Sequence, residues 1–264
     1  MQRNIKPRKS KITLSANTLF HFTSSIDNLI NILTNEFEPR YCLDQVCLFR
    51  ERTAIPMVCF CDIPLSQIKD HIENYGRYAI GLSKDWGKRK GINPVLYSYP
   101  NSTLSITINS MGEALYKEDT TQTGKSFNVK SAAVLLIYTT LFTKPYEGVL
   151  IRENANPKTV RFYDEREWRY IPQITKFGEL HLPLTLKEED FKNKDLVLEN
   201  QVKLASNSRL SFQPNDIRYL IVEKESEILN FVDRITDIKA RYPIEDRKIL
   251  HTRIMSIEHI LDDF

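Results

Sequence analysis

Apolar residues at Ile26, Leu29, Ile30 and Leu33 in SSIDNLINILTNEF fall at the spacing of one helical face. Ser24 or Ser25 supplies the N-cap, and Asp27 sits in the electropositive first turn. The preceding LFHF has the composition of a strand, so the pattern opens as strand then helix. PMVCFCDI is the next strand. PLSQIKDHIENYG reads as a helix opened by Pro64 and closed by Gly76, and RYAIGLSK returns as a strand.

Beyond Gly91, LSITINSMGEAL is helical in its second half, and SAAVLLIYTTLF is apolar enough and long enough for a buried helix. KPYEG ends it with turn chemistry, and RENANPKT is a polar loop. The aromatic content of VRFYDEREWRYIP, with its terminal Pro172, predicts a strand. Later, IRYLIVEK reads as a strand and SEILNFVDRI as an amphipathic helix with Ile228, Leu229, Val232 and Ile235 inward. ILHTRIM predicts a strand, and SIEHILDDF a closing helix capped by Ser256. Short strands mixed with helices, without regular alternation, indicate an α+β fold of mixed small sheets with flanking helices. A single domain over 12–264 follows, behind a basic, flexible tail at 1–11.

Composition changes this picture little. With 41% hydrophobic content over 264 residues the chain buries a substantial core, and a net charge of +3 forces no nucleic-acid partner. Arg3, Lys6, Arg8, Lys9 and Lys11 form the basic tail, either an arm that touches nucleic acid or a solvated end. No apolar run approaches the roughly 18 to 20 residues of a membrane span, and no apolar h-region follows the basic start. A soluble, cytoplasmic protein is expected. Cys42, Cys47, Cys59 and Cys61 fall close together, unlike a disulfide framework spread over a secreted fold. They fit buried thiols or a tetrahedral zinc site with His71 as a further donor, but the C-x-C spacing of Cys59 and Cys61 lacks the zinc knuckle, so no metal is expected. No G-x-G-x-x-G or G-K-[ST] element is present, which argues against Rossmann or P-loop nucleotide binding.

The chemistry-bearing residues are His21 and Thr23, two apart and therefore on one strand face, and the carboxylates of YDEREWRY. Read as one strand, that segment places Glu165, Glu167 and Arg169 on one face, looking outward, and Phe162, Trp168 and Tyr170 on the other, against the core. Two readings fit. An edge strand carries charge pairs that discourage edge pairing; alternatively a carboxylate is set against a sugar that becomes an oxocarbenium ion. His21 likewise is either a core histidine satisfied by a backbone partner or a ligand-facing group. Asp62 reads either as the cap of the helix that follows it or as a group that orients Arg or His side chains, and Tyr75 and Tyr78 as aromatics packed about a glycine turn or stacked on a base.

LFHFTSSIDNLINIL, PRYC, IPMVCFCDIPLSQIKDHIENYGRYAIGLSKDWG, NPVLY, YDEREWRYIP, LSFQPNDIRYLIVEKESE and the closing DDF together resemble the AbiGi family of abortive-infection proteins, from about position 18 to the end. That resemblance implies bacterial phage defence, in an antitoxin-type role beside a nucleotidyltransferase-like partner toxin from a neighbouring gene. A more distant similarity is to ADP-ribosyltransferases of the DNA-modifying toxin type, in which a strand bearing H-x-T precedes such a helix and a late strand supplies a glutamate. It implies an ADP-ribosyltransferase-like fold that binds or uses NAD. His21 and Thr23 would then hold the nicotinamide half, and Arg40, Arg50 or Arg52 would pair with the phosphates, Arg40 lying soonest after the first helix. Glu167, with Glu165 forming E-x-E, would assist catalysis. The alternative is a non-catalytic antitoxin that neutralises its partner by direct binding. Whether the chain is an enzyme stays open at this stage.

Overall fold

A computed structural model describes residues 15–46, 52–121, 127–151, 156–238 and 242–263; the basic tail at 1–11, Cys47 and Arg50 lie outside them. Strand β1 (Thr18–Thr23) runs into helix α1 (Ile26–Asn35), followed by β2 (Arg40–Asp44) and the long β3 (Thr53–Cys61). Helix α2 (Lys69–Tyr75) and β4 (Tyr78–Ser83) come next, then α3 (Lys84–Arg89), β5 (Asn93–Pro94) and β6 (Leu96–Ser98). Two long helices, α4 (Thr103–Thr121) and α5 (Phe127–Thr140), lead to the short strands β7 (Thr143–Pro145), β8 (Gly148–Leu150) and β9 (Lys158–Val160). Strand β10 (Glu167–Tyr170), helices α6 (Ile174–Glu179), α7 (Glu188–Phe191) and α8 (Lys194–Ser208), and strand β11 (Leu186–Lys187) precede β12 (Ile217–Val222). Helices α9 (Ile228–Ile238) and α10 (Ile244–His251), strand β13 (Ile254–Ser256) and helix α11 (Ile257–Asp263) complete the chain.

The main sheet runs β13-β12-β4-β1-β3-β10-β5, with β2 and β11 also pairing with β3. Its pairs are antiparallel except β12 with β13. The α+β class expected from the sequence holds, with two further two-stranded pairs, β6 with β7 and β8 with β9. Alternation along each strand sends Leu19, Val58, Phe60, Ile80, Leu82, Leu220 and Val222 to one face. Leu29 and Leu33 of α1, Phe231 and Ile235 of α9, and Trp86 cover that face. Phe20, Phe22, Cys61, Ala79 and Ile221 point to the opposite face, beneath Ile72 of α2 and Ile257 and Ile260 of α11.

Several local expectations hold for the reasons given. Ser25 is the α1 cap, accepting from the Asn28 amide at 3.2 Å, and Ser256 accepts from the His259 amide at the same distance. Gly76 ends α2 at φ +110°, where an added Cβ would lie 2.2 Å from the Thr23 carbonyl oxygen, so only glycine fits.

Others need correction. VRFYDEREWRYIP is not one strand: β9 gives way to a 3-10 turn at Phe162–Glu165, and Arg166, in the left-handed region at φ 46°, redirects the chain into β10. Glu165 therefore sits on the turn. Strand β10 is internal, flanked by β3 and β5, and Glu167 and Arg169 are buried instead of looking outward. Leu229 faces solvent while Phe231 takes the inward position on α9. Asp62 does not cap a helix; it pairs with Lys84 at 2.6 Å. ILHTRIM divides between the end of α10 and β13. SAAVLLIYTTLF does form a helix, α5, but Val134 and Leu135 are exposed, Leu135 by 57%.

Candidate functional site

Strands β1 and β3 keep register at a single pair, Phe20 with Cys61, whereas β1 follows β4 over its full length. His21 bridges β1 to β3 next to that pair: its Nδ1 lies 2.8 Å from the Cys59 carbonyl oxygen. A carbonyl can only accept, so Nδ1 carries the proton and Nε2 is the acceptor nitrogen. The ring packs edge-on to Phe37 at 5.2 Å and near Phe60 at 5.8 Å. Burial pushes its pKa down, with the charge of Arg40 adding to the effect, so the imidazole is neutral at physiological pH.

Next to this junction lies a cavity of about 800 Å³ whose lining includes His21, Cys59, Cys61, Lys144, Glu165 and Glu167. A volume of this size is that of a small-molecule site. Of the residues predicted from sequence, His21, Glu165 and Glu167 border this one cavity. Thr23 is buried at the end of β1 and borders a separate depression with Tyr75, Gly76 and Glu223. Arg40 is exposed at the start of β2 and is not among the described lining residues, whereas Arg52 is.

The carboxylates are held by Arg169, from the same strand, and by Lys144, which no local pattern announces. Lys144 Nζ stands 2.7 Å from Glu165 Oε2 and 2.7 Å from Glu167 Oε2. Arg169 Nε donates to Glu167 Oε1 at 2.6 Å, its Nη1 donates to the Leu141 carbonyl at 2.8 Å, and its Nη2 pairs with Asp44. The Tyr75 hydroxyl donates to Glu165 Oε1, and the Glu167 amide donates to the Tyr97 hydroxyl oxygen at 2.8 Å. Three carboxylates thus face two cations across β2, β7, β10 and the turn before β10. Burial alone would raise the Glu167 carboxyl, but Arg169 and Lys144 outweigh it and hold that group well below the usual carboxylate range. Burial would lower Lys144, and Glu167, Asp44 and Glu165 reverse this and hold it charged.

Chemically, Glu167 has both oxygens occupied by cations and Glu165 has one on Lys144 and one on Tyr75, so neither stands as an unpartnered general base. Desolvation pushes the Cys59 and Cys61 thiols well above their ordinary range, which makes them poor nucleophiles. The site is built to hold fixed charges in a largely apolar recess. An aromatic wall adjoins it: His71 stacks on Tyr75 at 4.4 Å, and Phe22 lies 4.9 Å from His71. Only the alternation of Glu167 and Arg169 announced any of this; Asp44, Lys144, Tyr75 and Tyr97 come from distant segments brought in by the sheet.

The family model described as "Putative abortive phage resistance protein AbiGi, antitoxin" matches residues 35–223, from the end of α1 through β12. The chain belongs to the AbiGi family. It is also 29% identical over 269 residues to the "Abortive phage resistance protein AbiGi" of Lactococcus lactis subsp. cremoris, with 86% of this chain and 99% of that protein covered. The AbiGi match spans β2, β3, β7 and β10, and so takes in the whole charge network, while His21 and Thr23 precede it. No solved structure matches the chain. Among the described residues, no helix is long and apolar enough to cross a membrane.

Proposed function

We propose that this AbiGi-family chain is the antitoxin-type component of an abortive-infection phage-defence system, and that it works by direct, non-catalytic binding of a partner toxin. The observation that carries this reading is the exposed apolar surface of α4, α5 and β8. Helix α5 is rich in apolar residues that do not gather on one face, and Val134 and Leu135 face solvent. Ile106 and Met111 of α4 and Val149 of β8 are also exposed. Apolar exposure on the packed pair α4 and α5, with Ile106 and Val149 bordering one cavity, is the kind of surface that an interaction covers. The antitoxin wording of the family description supports the same direction.

A growth-rescue assay tests it: the chain is co-expressed with the toxin encoded beside it. Rescue is expected to survive Glu165→Gln, which removes a carboxylate without touching the apolar surface. Loss of rescue in a well-folded Glu165→Gln protein would overturn the non-catalytic reading.

A second reading is favoured by one observation, that His21, Glu165 and Glu167 border the same cavity. In it the chain is an ADP-ribosyltransferase-like protein using NAD. His21 and Thr23 would contact the nicotinamide half and Arg40 the phosphates, and Glu167 and Glu165 would assist nicotinamide departure. Calorimetric titration with NAD, together with a chromatographic assay for released nicotinamide, decides it. Heat of binding and release that disappear in Glu165→Gln would establish this reading, and silence in both would remove it.

A further inference from the structure

Helices α4 and α5 pack chiefly on each other, and α5 is tied to the body at its C-terminal end, where the Tyr138 hydroxyl donates to the Pro172 carbonyl at 3.2 Å. The outward stripe of α5 is Ala132, Leu135 and Thr139, spaced i, i+3 and i+7 along one helical face, and all three are exposed. Two helices that meet along one seam leave such stripes bare, and a further helix is the usual cover in a bundle.

Three features of the stripe decide what can lie on it. From Ser131 to Thr140 the chain holds no charged residue, so a charge pressed against this stretch would lose water without gaining a counter-charge from it. The Thr139 hydroxyl already donates to the Leu135 carbonyl at 2.8 Å, so covering it orphans no donor. The backbone N–H and C=O groups along α5 are spent inside the helix, unlike those of a strand edge. An extended segment would bring unpaired backbone groups to this surface and find no partners for them, whereas a helical segment satisfies its own.

We infer that the partner toxin contributes an amphipathic helix whose apolar, uncharged face lies on Ala132, Leu135 and Thr139 of α5. Leu135, between two smaller side chains, is the knob that enters a hole on that helix. This rests on the partner-binding reading above and names the kind of segment that makes the contact.

The test is a calorimetric titration of the full chain with the protein encoded by the adjacent gene, using wild type, Leu135→Asp, Leu135→Lys and Thr139→Val, with melting temperature as the fold control. Both charges at position 135 are expected to weaken the complex at least about tenfold, and to within about threefold of each other. Thr139→Val should bind within about twofold of wild type, and wild-type affinity should change less than about threefold between about 50 and about 500 mM salt. In the isotope-labelled toxin, the amides perturbed on binding are expected to lie in a segment with helical carbon shifts. A Leu135→Lys complex as tight as wild type, a loss of about tenfold in Thr139→Val, or an extended perturbed segment would each overturn this inference and leave the antitoxin reading standing. A dimer of the chain alone that Leu135→Asp dissociates would overturn it by placing a second copy on the stripe. Absence of any complex with wild type, or equal affinity for Leu135→Asp, would overturn both.

Discussion

Glu167 links Lys144 and Arg169, and its replacement is informative about what the carboxylate does. Glu167→Gln leaves Arg169, which is fully buried, and Lys144 short of a counter-charge. Breaking one partner of a buried ion network typically costs about 3–5 kcal/mol. Urea denaturation of Glu167→Gln is therefore expected to show a loss of that order, and an unchanged midpoint would contradict the network's structural role. The same group sets an acid limit. Its folded-state pKa lies below the unfolded value of about 4.3, so its stabilisation is present above that pH and is lost as pH falls toward the folded pKa. His21 acts in the same direction but earlier. Its folded pKa lies below about 6.5, so the neutral, packed form is favoured above that pH and stability declines as the unfolded chain takes up the proton. Thermal unfolding across pH 7 to 5 is expected to show a shallower slope in His21→Gln; an unaltered slope would contradict a contribution from His21. At this scale the sequence showed the alternation of Glu167 with Arg169. It did not show their burial, because Lys144 and Asp44 reach them only through the pairing of the folded sheet.

At the scale of elements, local chemistry was the best guide. Caps at Ser25 and Ser256 and the glycine stop at Gly76 are decided by a few neighbouring atoms, and they occur where the residues indicate. Gly76→Ala adds a Cβ at 2.2 Å from the Thr23 carbonyl oxygen and forces a left-handed backbone on alanine. A cost of about 1–3 kcal/mol from the backbone alone, plus the clash, is expected in denaturant titrations, and wild-type stability would contradict the close approach of α2 to β1. The broken strand ahead of β10 was not legible, because Arg166 adopts a left-handed conformation that sequence assigns to glycine or asparagine. Helices α3 and α8 went unassigned. In α8 the buried positions include Asn200 and Ser208, while Leu198 and Val202 are exposed, which blurs the periodic signal. Leu229 was placed inward for the converse reason: it fits the apolar stripe of α9 but lies on its outer edge.

For the whole molecule, the mixed α+β class followed from element order, whereas the order of strands about β3 depends on long-range pairing that no local pattern encodes. The most consequential departure is α5. Its apolar residues Val134 and Leu135 are exposed, and on the proposed reading a partner covers them. AbiGi-family membership, the exposed apolar residues of α4, α5 and β8, and carboxylates already satisfied by Lys144, Arg169 and Tyr75 support the proposal of a protein that works by contact. Leu135 is the most direct probe of that claim, since it is exposed and a charge there leaves the sheet, the cavity and the ion network intact. The deciding measurement is the dissociation constant between the chain and the adjacent-gene toxin for wild type and Leu135→Asp, with melting temperature as the fold control. The account predicts at least about a tenfold weaker complex, or about 1.4 kcal/mol, at an unchanged melting temperature. Equal affinity for both proteins would contradict it.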